Sequence, residues 1–168
     1  MADIIDLIYA DHHWLRTQFF LLDEAKTPEE LSAVWEPLGR RLDTHAEAEE
    51  TVFYPALLKE GGEDGDPVDE TEDAITDHNA IRDAVRAAAS LEVGSEEWFE
   101  AVNKAREENG EHLEEEEREA LPDFIKSATL ELRHELAMKW VRFYAEHQAG
   151  KGITGDDKDA EEFIEQNS

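Results

Sequence analysis

A pattern of histidine and glutamate that occurs twice is the feature that most constrains the fold of this chain. Residues 11–16 read D-H-x-x-(aliphatic)-R, and residues 77–82 repeat this pattern 66 positions later. The pattern H-x-x-x-E-E, followed by a proline, begins at His45 and returns 67 positions later at His112. Because the two intervals are nearly equal, we predict one helical hairpin used twice and packed about a pseudo-twofold axis into a four-helix bundle.

The apolar residues around these motifs recur at helical spacing, which predicts helices joined by short turns. The predicted helices cover about residues 3–25, 28–60, 68–90, 98–122 and 123–148. Thr27 and Pro28 mark the start of the second helix as an N-cap and a first-turn proline. Since no segment alternates as a strand does, the predicted fold class is all-α, an up-down four-helix bundle with an additional C-terminal helix.

The remaining segments follow from the pattern of polar and apolar residues. Residues 61–66 are predicted to be a flexible break, residues 1–150 to form the bundle, and the polar residues 151–168 to form a mobile C-terminal tail. The fifth helix is expected to cover the bundle with inward side chains Ile125, Leu132, Leu136, Trp140 and Phe143. Because this helix exceeds what a four-helix core needs, its outer surface is a candidate homodimer contact.

The absence of cysteine limits which sites the chain can carry. It excludes disulfide scaffolds, thiolate zinc sites, cysteine-ligated iron–sulfur clusters and cysteine nucleophiles, so any metal must bind to nitrogen and oxygen atoms. No apolar run approaches the roughly 20 residues that cross a bilayer. The N-terminus carries acids where a signal peptide carries bases, so we expect a soluble cytoplasmic protein.

The charge of the chain is strongly negative, because 44 acidic side chains against 16 basic ones give a net charge of −28. Such a charge repels nucleic acids and anionic membranes, so neither is expected as a partner. The acids interleave with helical apolar positions and are expected on solvated helix faces. The composition resembles that of proteins from salt-loving archaea, whose acidic surfaces stay soluble in concentrated salt because the salt screens their repulsion.

The repeated motifs predict a metal pair in the bundle core. A histidine and a glutamate four positions apart lie on one helix face, and helix axes ~8–10 Å apart let inward side chains at one level converge. Each hairpin delivers two histidines and one glutamate, which predicts two divalent ions ~3.5–4 Å apart with the carboxylates bridging. A single histidine on an apolar face is usually a core residue, but four on four helices in a repeated pattern indicate metal binding.

The order H…HxxxE…H…HxxxE resembles the haemerythrin HHE cation-binding family over about residues 3–122. The resemblance implies two iron ions with an oxo or hydroxo bridge, and imidazole with carboxylate would also accept manganese or zinc. The metal ligands that it implies are His12, His45, Glu49, His78, His112 and Glu116. Ferritin-like di-iron proteins are the main alternative, but they use paired Glu-x-x-His motifs and more carboxylates, an arrangement that this sequence does not show.

The sequence departs from the oxygen-carrying haemerythrins of invertebrates at two positions. Those proteins have an additional histidine one turn before the third-helix ligand, where this chain has Ala74. Their last carboxylate follows its histidine by five positions, whereas this chain offers Glu116 at four and Glu117 at five. Loss of one nitrogen ligand would leave one iron more open, which favours oxygen or peroxide chemistry, or iron exchange, over reversible oxygen carriage.

Three functions stay open from the sequence. The first is a non-haem di-iron protein that binds oxygen or nitric oxide as a sensor, scavenger or store. The second is a di-iron oxidoreductase that reduces peroxide or oxidises a small substrate. The third is iron storage, or iron donation to other proteins. No residue pattern separates the three. A fourth function, an interaction module with a purely structural metal, is the least favoured.

The acids next to the implied ligands are expected to lie outside the ligand set. Glu50 and Glu117 follow the ligand glutamates and turn ~100° away on a helix, so they are expected to face solvent, with metal ligation by Glu117 as the alternative. Asp11 and Asp77 are expected to form surface salt bridges with the arginines of their own motifs, with orientation of a ligand imidazole as the alternative.

Two tyrosines lie near the predicted site in the sequence. Tyr9 precedes His12 by about one turn, and Tyr54 follows Glu49 by five positions. Both are expected to pack in the core, and either phenol could also donate a hydrogen bond to a bound oxygen species.

Overall fold

The computed structural model of the chain describes residues 1–62 and 65–168, and in this part of the chain it contains helices and no strand. The helices are α1 (Ile4–Glu24), α2 (Pro28–Ala48), α3 (Tyr54–Glu60), α4 (Pro67–Ala89), α5 (Glu96–Arg118), α6 (Ala120–Ser127), α7 (Leu130–Glu146) and α8 (Ala160–Asn167). A π-helical turn, Glu49–Phe53, joins α2 to α3 without a break. The predicted all-α helical bundle is therefore confirmed.

The boundaries of the helices agree with the sequence signals in most places. At the start of α2, the Thr27 hydroxyl accepts a hydrogen bond from the Glu30 amide at 3.2 Å, and the Glu30 side chain accepts one from the Thr27 amide at 3.1 Å. This reciprocal pair satisfies two amides that have no partner inside the helix. Glu63 and Asp64, in the predicted break between α3 and α4, lie outside the described residues. None of the described helices is long and apolar enough to cross a membrane.

The core consists of two apolar clusters that lie on either side of a polar layer. One cluster includes Ile4, Ile8, Ala48, Phe53, Leu57, Ala74 and Phe124. The other includes Leu15, Leu38, Leu42, Ile81, Trp98 and Val102. On α1, for example, His12 lies between Ile8 of the first cluster and Leu15 of the second. His45 on α2 and His78 on α4 likewise lie between residues of the two clusters, so the bundle brings the repeated motifs to one level.

The last part of the bundle differs from the predicted single helix over residues 123–148. Residues 123–127 belong to α6, which follows a break at Glu119, where φ is −121° and ψ is −73°. Pro122 explains the break, because its ring excludes a helical carbonyl at Arg118, four positions earlier. The new helical frame buries Phe124, whereas Ile125, which was predicted to face inward, is 42% exposed.

Helix α7 covers the bundle by packing against α1. Its side chains Leu136, Trp140 and Phe143 are buried as predicted, and Leu132 is partly buried. Met138 and Val141 on its outer surface are about half exposed, at 53% and 49%. A homodimer through this surface stays a prediction.

The C-terminal segment, predicted to be a mobile tail, lies against the bundle and ends in α8. The Asn79 side chain donates a hydrogen bond to the Lys158 carbonyl at 2.7 Å and accepts one from the Lys158 amide at 2.9 Å. Arg86 contacts the Gly155 carbonyl and pairs with Asp157 at 2.8 Å. These contacts attach the segment to α4, and its mobility stays a prediction.

Candidate metal centre

The six side chains implied as ligands meet in the polar layer between the two apolar clusters. They come from α1, α2, the π-helical turn, α4 and α5, and they are His12, His45, Glu49, His78, His112 and Glu116. Each of them is at most 4% exposed. Unpaired charges and polar atoms at such depth are costly, so this layer needs an explanation beyond packing.

The carboxylate of Glu49 lies between two pairs of imidazoles. Its Oε1 atom is 3.0 Å from Nε2 of His45 and 3.7 Å from Nε2 of His12. Its Oε2 atom is 3.2 Å from Nε2 of His78 and 3.7 Å from Nε2 of His112. Each pair, taken with Glu49, forms a group whose ligand atoms lie within 4.8 Å of one another and could hold a metal ion. Glu49 is the one residue that the two groups share.

The second glutamate, Glu116, lies beside the first of these groups. Its Oε2 atom is 3.2 Å from Nε2 of His12, and its Oε1 atom accepts a hydrogen bond from the Tyr54 hydroxyl at 3.0 Å. Burial and the negative charges of Glu116 and Glu49 raise the pKa of the Tyr54 phenol well above its usual range. The phenol therefore stays protonated and fixes the orientation of Glu116.

Several buried ligand atoms have no hydrogen-bond partner among the described residues. They are Nε2 of His12, Nε2 of His45, both carboxylate oxygens of Glu49 and Oε2 of Glu116. Buried polar atoms in proteins are almost always paired, and these converge on the space between the imidazoles. Nitrogen and carboxylate oxygen donors of this kind fit a divalent transition metal such as iron. The residues present therefore fit a metal pair.

The acids that follow the ligand glutamates hold two of the imidazoles from behind. Nδ1 of His12 donates to Oε1 of Glu117 at 2.8 Å, and Nδ1 of His78 donates to Oε1 of Glu50 at 2.8 Å. The expectation that both acids face solvent was wrong, since Glu50 is 3% exposed and the Glu117 side chain 24%. Such carboxylates fix the tautomer of a metal-binding histidine and raise its basicity.

The aspartates that precede two of the histidines lie near the Nδ1 atoms of the other two imidazoles, at longer distances. Asp11 Oδ2 lies 3.3 Å from Nδ1 of His45, and Asp77 Oδ2 lies 3.6 Å from Nδ1 of His112. Asp11 is in turn held by a contact with Arg41 and by the Tyr144 hydroxyl, which donates to it at 2.6 Å. Every ligand imidazole thus has a carboxylate next to its Nδ1 atom.

The predicted salt bridges of Asp11 and Asp77 with the arginines of their own motifs are replaced by bridges across the hairpins. Arg16 pairs with Glu117 at 2.7 Å, and Arg82 pairs with Glu50 at 2.7 Å. The set of histidine, glutamate and arginine is therefore the same in both halves of the repeat.

The C-terminal segment makes the two halves of the repeat differ in how the carboxylate behind the imidazole is paired. Lys158, from the C-terminal segment, adds a second cation to Glu50, with its Nζ atom 2.6 Å from Oε2. Arg82 is 1% exposed, whereas the Arg16 side chain is 41% exposed. The carboxylate behind His78 is therefore more deeply buried and more strongly paired than the one behind His12.

The two acids behind the imidazoles were misplaced for different reasons. Pro55 follows Glu49 by six positions, and the π-helical turn between them contains more residues per turn than an α-helix does, which keeps Glu50 on the buried side. Glu117 keeps its α-helical position in α5, and α1 packs against that face with His12 and Arg16. The repeated E-E pair and the repeated arginine were signals that could have revealed these contacts.

Burial and ion pairing oppose each other in the pKa values of the ligands. Burial lowers the pKa of His12, but the carboxylates of Glu116 and Glu117 raise it more, so it lies well above its usual range. Burial raises the pKa of Glu49, but His45 and the other imidazoles hold it well below its usual range. In the absence of metal the carboxylates therefore favour the protonated form of His12, and a metal ion there would have to displace a proton.

The two remaining residues of interest lie outside the layer or at its edge. Tyr9 is 38% exposed, and its ring centroid is 6.2 Å from that of His12, so it is not the core residue expected. Ala74 is 7% exposed and belongs to the first apolar cluster.

Comparison with known proteins gives one match. The model of the family described as the hemerythrin HHE cation binding domain matches residues 3–124, which include all six implied ligands. No curated protein and no solved structure gave a significant match.

Proposed function

This chain belongs to the hemerythrin HHE cation-binding domain family, and we propose that it is a non-haem di-iron protein. In this proposal the iron pair interacts with oxygen, or with a related small diatomic molecule or peroxide. His12, His45, Glu49, His78, His112 and Glu116 are proposed as the ligands. When bound, such a pair supplies Lewis-acid centres that can exchange electrons with a small oxygen species.

The position of the Glu49 carboxylate is the observation that supports this proposal most strongly. Its two oxygen atoms face different histidine pairs, with the nearest contacts at 3.0 Å to His45 and 3.2 Å to His78. A carboxylate placed in this way suits one bridging ligand shared by two ions. A single structural ion would occupy one of the two residue groups, and the buried polar side chains of the other group would then have no explanation.

The side chains around the layer would orient the ligands. Glu117 and Glu50 would direct the Nε2 atoms of His12 and His78 into the layer, and the Tyr54 hydroxyl holds Glu116. Glu116 lies beside His12, so the group of His78 and His112 has one protein carboxylate fewer. This second group is therefore the proposed place where an exchangeable small ligand would bind.

Metal analysis combined with an optical spectrum tests the proposal. Protein purified without oxygen is expected to contain about two iron ions per chain, and oxygen is expected to produce near-ultraviolet bands typical of an oxo bridge. Glu49→Ala should lose both ions, because it removes the ligand that the two groups share.

His13→Ala serves as the matched control, because His13 is the exposed neighbour of His12 on α1 and faces away from the layer. It should keep the full metal content. Zinc alone, with no response to oxygen, would contradict the iron assignment. Full metal content in Glu49→Ala would contradict the ligand assignment.

A further inference from the structure

A cavity of about 110 Å³ opens between α4 and α5 and reaches the polar layer from one side. Its inner end is lined by buried side chains, among them His112, Glu116 and Tyr54. Ala74 also lines it, and the small methyl group of this residue leaves the space that a longer side chain on α4 would fill. The cavity thus leads from solvent to the metal group of His78 and His112.

The outer part of this cavity is acidic. The acids that line it are Glu70, Asp73, Asp77, Glu115 and Glu119. Among the described lining residues Arg118 is the one basic side chain, and it pairs with Glu119 at 2.7 Å. Asp73 and Glu115 are exposed, Glu70 and Asp77 are half-buried, and Glu116 is buried. Carboxylates are therefore available at each depth from the rim to the ligands.

Two observations inside the cavity indicate a cation rather than a solvated acidic surface. Glu116, at the inner end, is 4% exposed, and its Oε2 atom has no hydrogen-bond partner among the described residues. Nearer the rim, burial and the neighbouring carboxyl of Glu119 raise the pKa of Glu70 to about 7. A bound cation would relieve the same crowding of negative charge that a proton relieves there.

We propose that this cavity is the uptake route through which divalent iron reaches the two metal groups. The inference rests on the proposed di-iron function. A neutral diatomic molecule gains nothing from a row of carboxylates, whereas a hydrated divalent cation is concentrated by it and can exchange its waters for carboxylate oxygens in steps. Glu70 and Asp73 collect the ion, Asp77 and Glu115 flank its path, and Glu116 accepts it at the ligands.

The test measures how fast the metal-free protein takes up iron. Protein without metal is mixed anaerobically with Fe²⁺, excess chelator is added at intervals, and the retained iron is measured. The double variant Glu70→Gln/Asp73→Asn should take up iron at least about threefold more slowly at low salt, while reaching the same final content. The difference should shrink in ~1 M NaCl, where the Debye length falls to ~3 Å.

The double variant Glu24→Gln/Glu100→Gln is the matched control. It removes the same formal charge, and uptake is compared at about pH 8, where Glu70 is ionised. Its exposed positions lie twelve residues from His12 on α1 and twelve from His112 on α5, about 18 Å along each helix and at the opposite end of the bundle. Equal uptake rates in the two double variants at low salt would overturn the route. If the unmodified protein retains no iron at any time, the di-iron function fails instead, so the two failures are distinguishable.

A second variant tests whether iron uptake depends on the width of the cavity, as distinct from the charge of its lining. Ala74→Leu should narrow the cavity and slow uptake at every salt concentration, with helix content checked by circular dichroism. Unchanged uptake by folded Ala74→Leu would also overturn the route. If this variant does not fold, the paired charge variants decide the question.

Discussion

The Nδ1 atom of His12, from the first hairpin, donates a hydrogen bond at 2.8 Å to Glu117, from the second hairpin. The opposite exchange joins His78 of the second hairpin to Glu50 of the first, also at 2.8 Å. Each half of the repeat thus supplies the carboxylate that orients one imidazole of the other. Packing of the two hairpins against each other therefore completes the candidate metal site.

Neutralising either of these carboxylates should weaken metal binding. Glu50→Gln and Glu117→Gln are each expected to lower metal affinity by about 10–100-fold, the usual effect of losing such a partner. Glu50→Gln should have the larger effect, because Glu50 is buried while Glu117 is partly exposed. Competition with a chelator measures the change. Glu114→Gln, at an exposed position on the same helix as Glu117, is the control. Equal affinity in all three variants would contradict this role.

The two arginines of the repeat should differ in their contribution to stability. Arg82→Met leaves the buried Glu50 carboxylate with Lys158 as its main cation and is expected to lower the free energy of unfolding by about 3 kcal/mol. Arg16→Met removes an ion pair whose arginine side chain is 41% exposed and should cost at most about 1 kcal/mol. Urea denaturation of the metal-free variants measures both. A loss for Arg16→Met as large as that for Arg82→Met would mean that burial does not set the difference.

The sequence predicts the helical frame of the site well because histidine and glutamate at helical spacing determine one face of each helix. The convergence of His12 and His78 with the other implied ligands in one layer agrees with that reasoning, and their binding of iron stays a prediction. The position of Glu50 could not be predicted from an ideal α-helix, because it lies in the π-helical turn. Glu117 lies within α5, and its burial depends on how α1 packs there and brings His12 within 2.8 Å.

His112 and Glu50 should together contribute most to the stability of the metal-free protein between about pH 4.5 and 6.5. Burial lowers the pKa of His112, but Asp77 and Glu49 raise it from 6.5 to about 10, so its contribution is complete below pH 6.5 and is lost as the pH rises towards 10. Burial raises the pKa of Glu50, but His78 and its other partners lower it from 4.5 to about 2, so its contribution is present above pH 4.5 and is lost as the pH falls towards 2.

Bound metal should oppose the loss of stability that the metal-free protein shows as the pH rises above 6.5. A metal ion binds imidazoles that have lost their protons, so affinity rises with pH where the metal-free protein loses stability. The gap between the unfolding temperatures of the loaded and metal-free proteins should therefore widen from pH 6.5 to 9. Thermal denaturation of both forms measures it, and a constant gap would show that the imidazoles do not exchange protons for metal.

Salt should stabilise the chain, because its net charge of −28 makes the folded state repel itself. The Debye length falls from ~10 Å at 0.1 M to ~3 Å at 1 M, so most of this repulsion should be screened by molar NaCl. The unfolding temperature is expected to rise by several degrees over that range, roughly the effect of 1–2 kcal/mol in a domain of this size. A variant with exposed acids such as Glu24 and Glu100 changed to glutamine should respond less. Melting that is indifferent to salt would contradict the halophilic interpretation of the composition.

Ala74→His should convert the open side of the site into a closed one. Position 74 lines the cavity beside His112 and Glu116, and it lies one turn before His78 on α4. An imidazole there would occupy the space through which solvent reaches the layer and could add a nitrogen ligand to the second metal group. Loss of iron to a chelator should then slow by roughly tenfold, a change similar to that caused by one metal partner.

Ala74→Leu is the control that separates filling of the cavity from ligation of the metal, because leucine fills the cavity but has no donor atom. If both variants lose iron equally slowly, the effect is due to restricted access through the cavity and not to a new ligand. Slowing in Ala74→His beyond that of Ala74→Leu, with a changed optical spectrum, would show that the alanine at this position leaves a coordination position open.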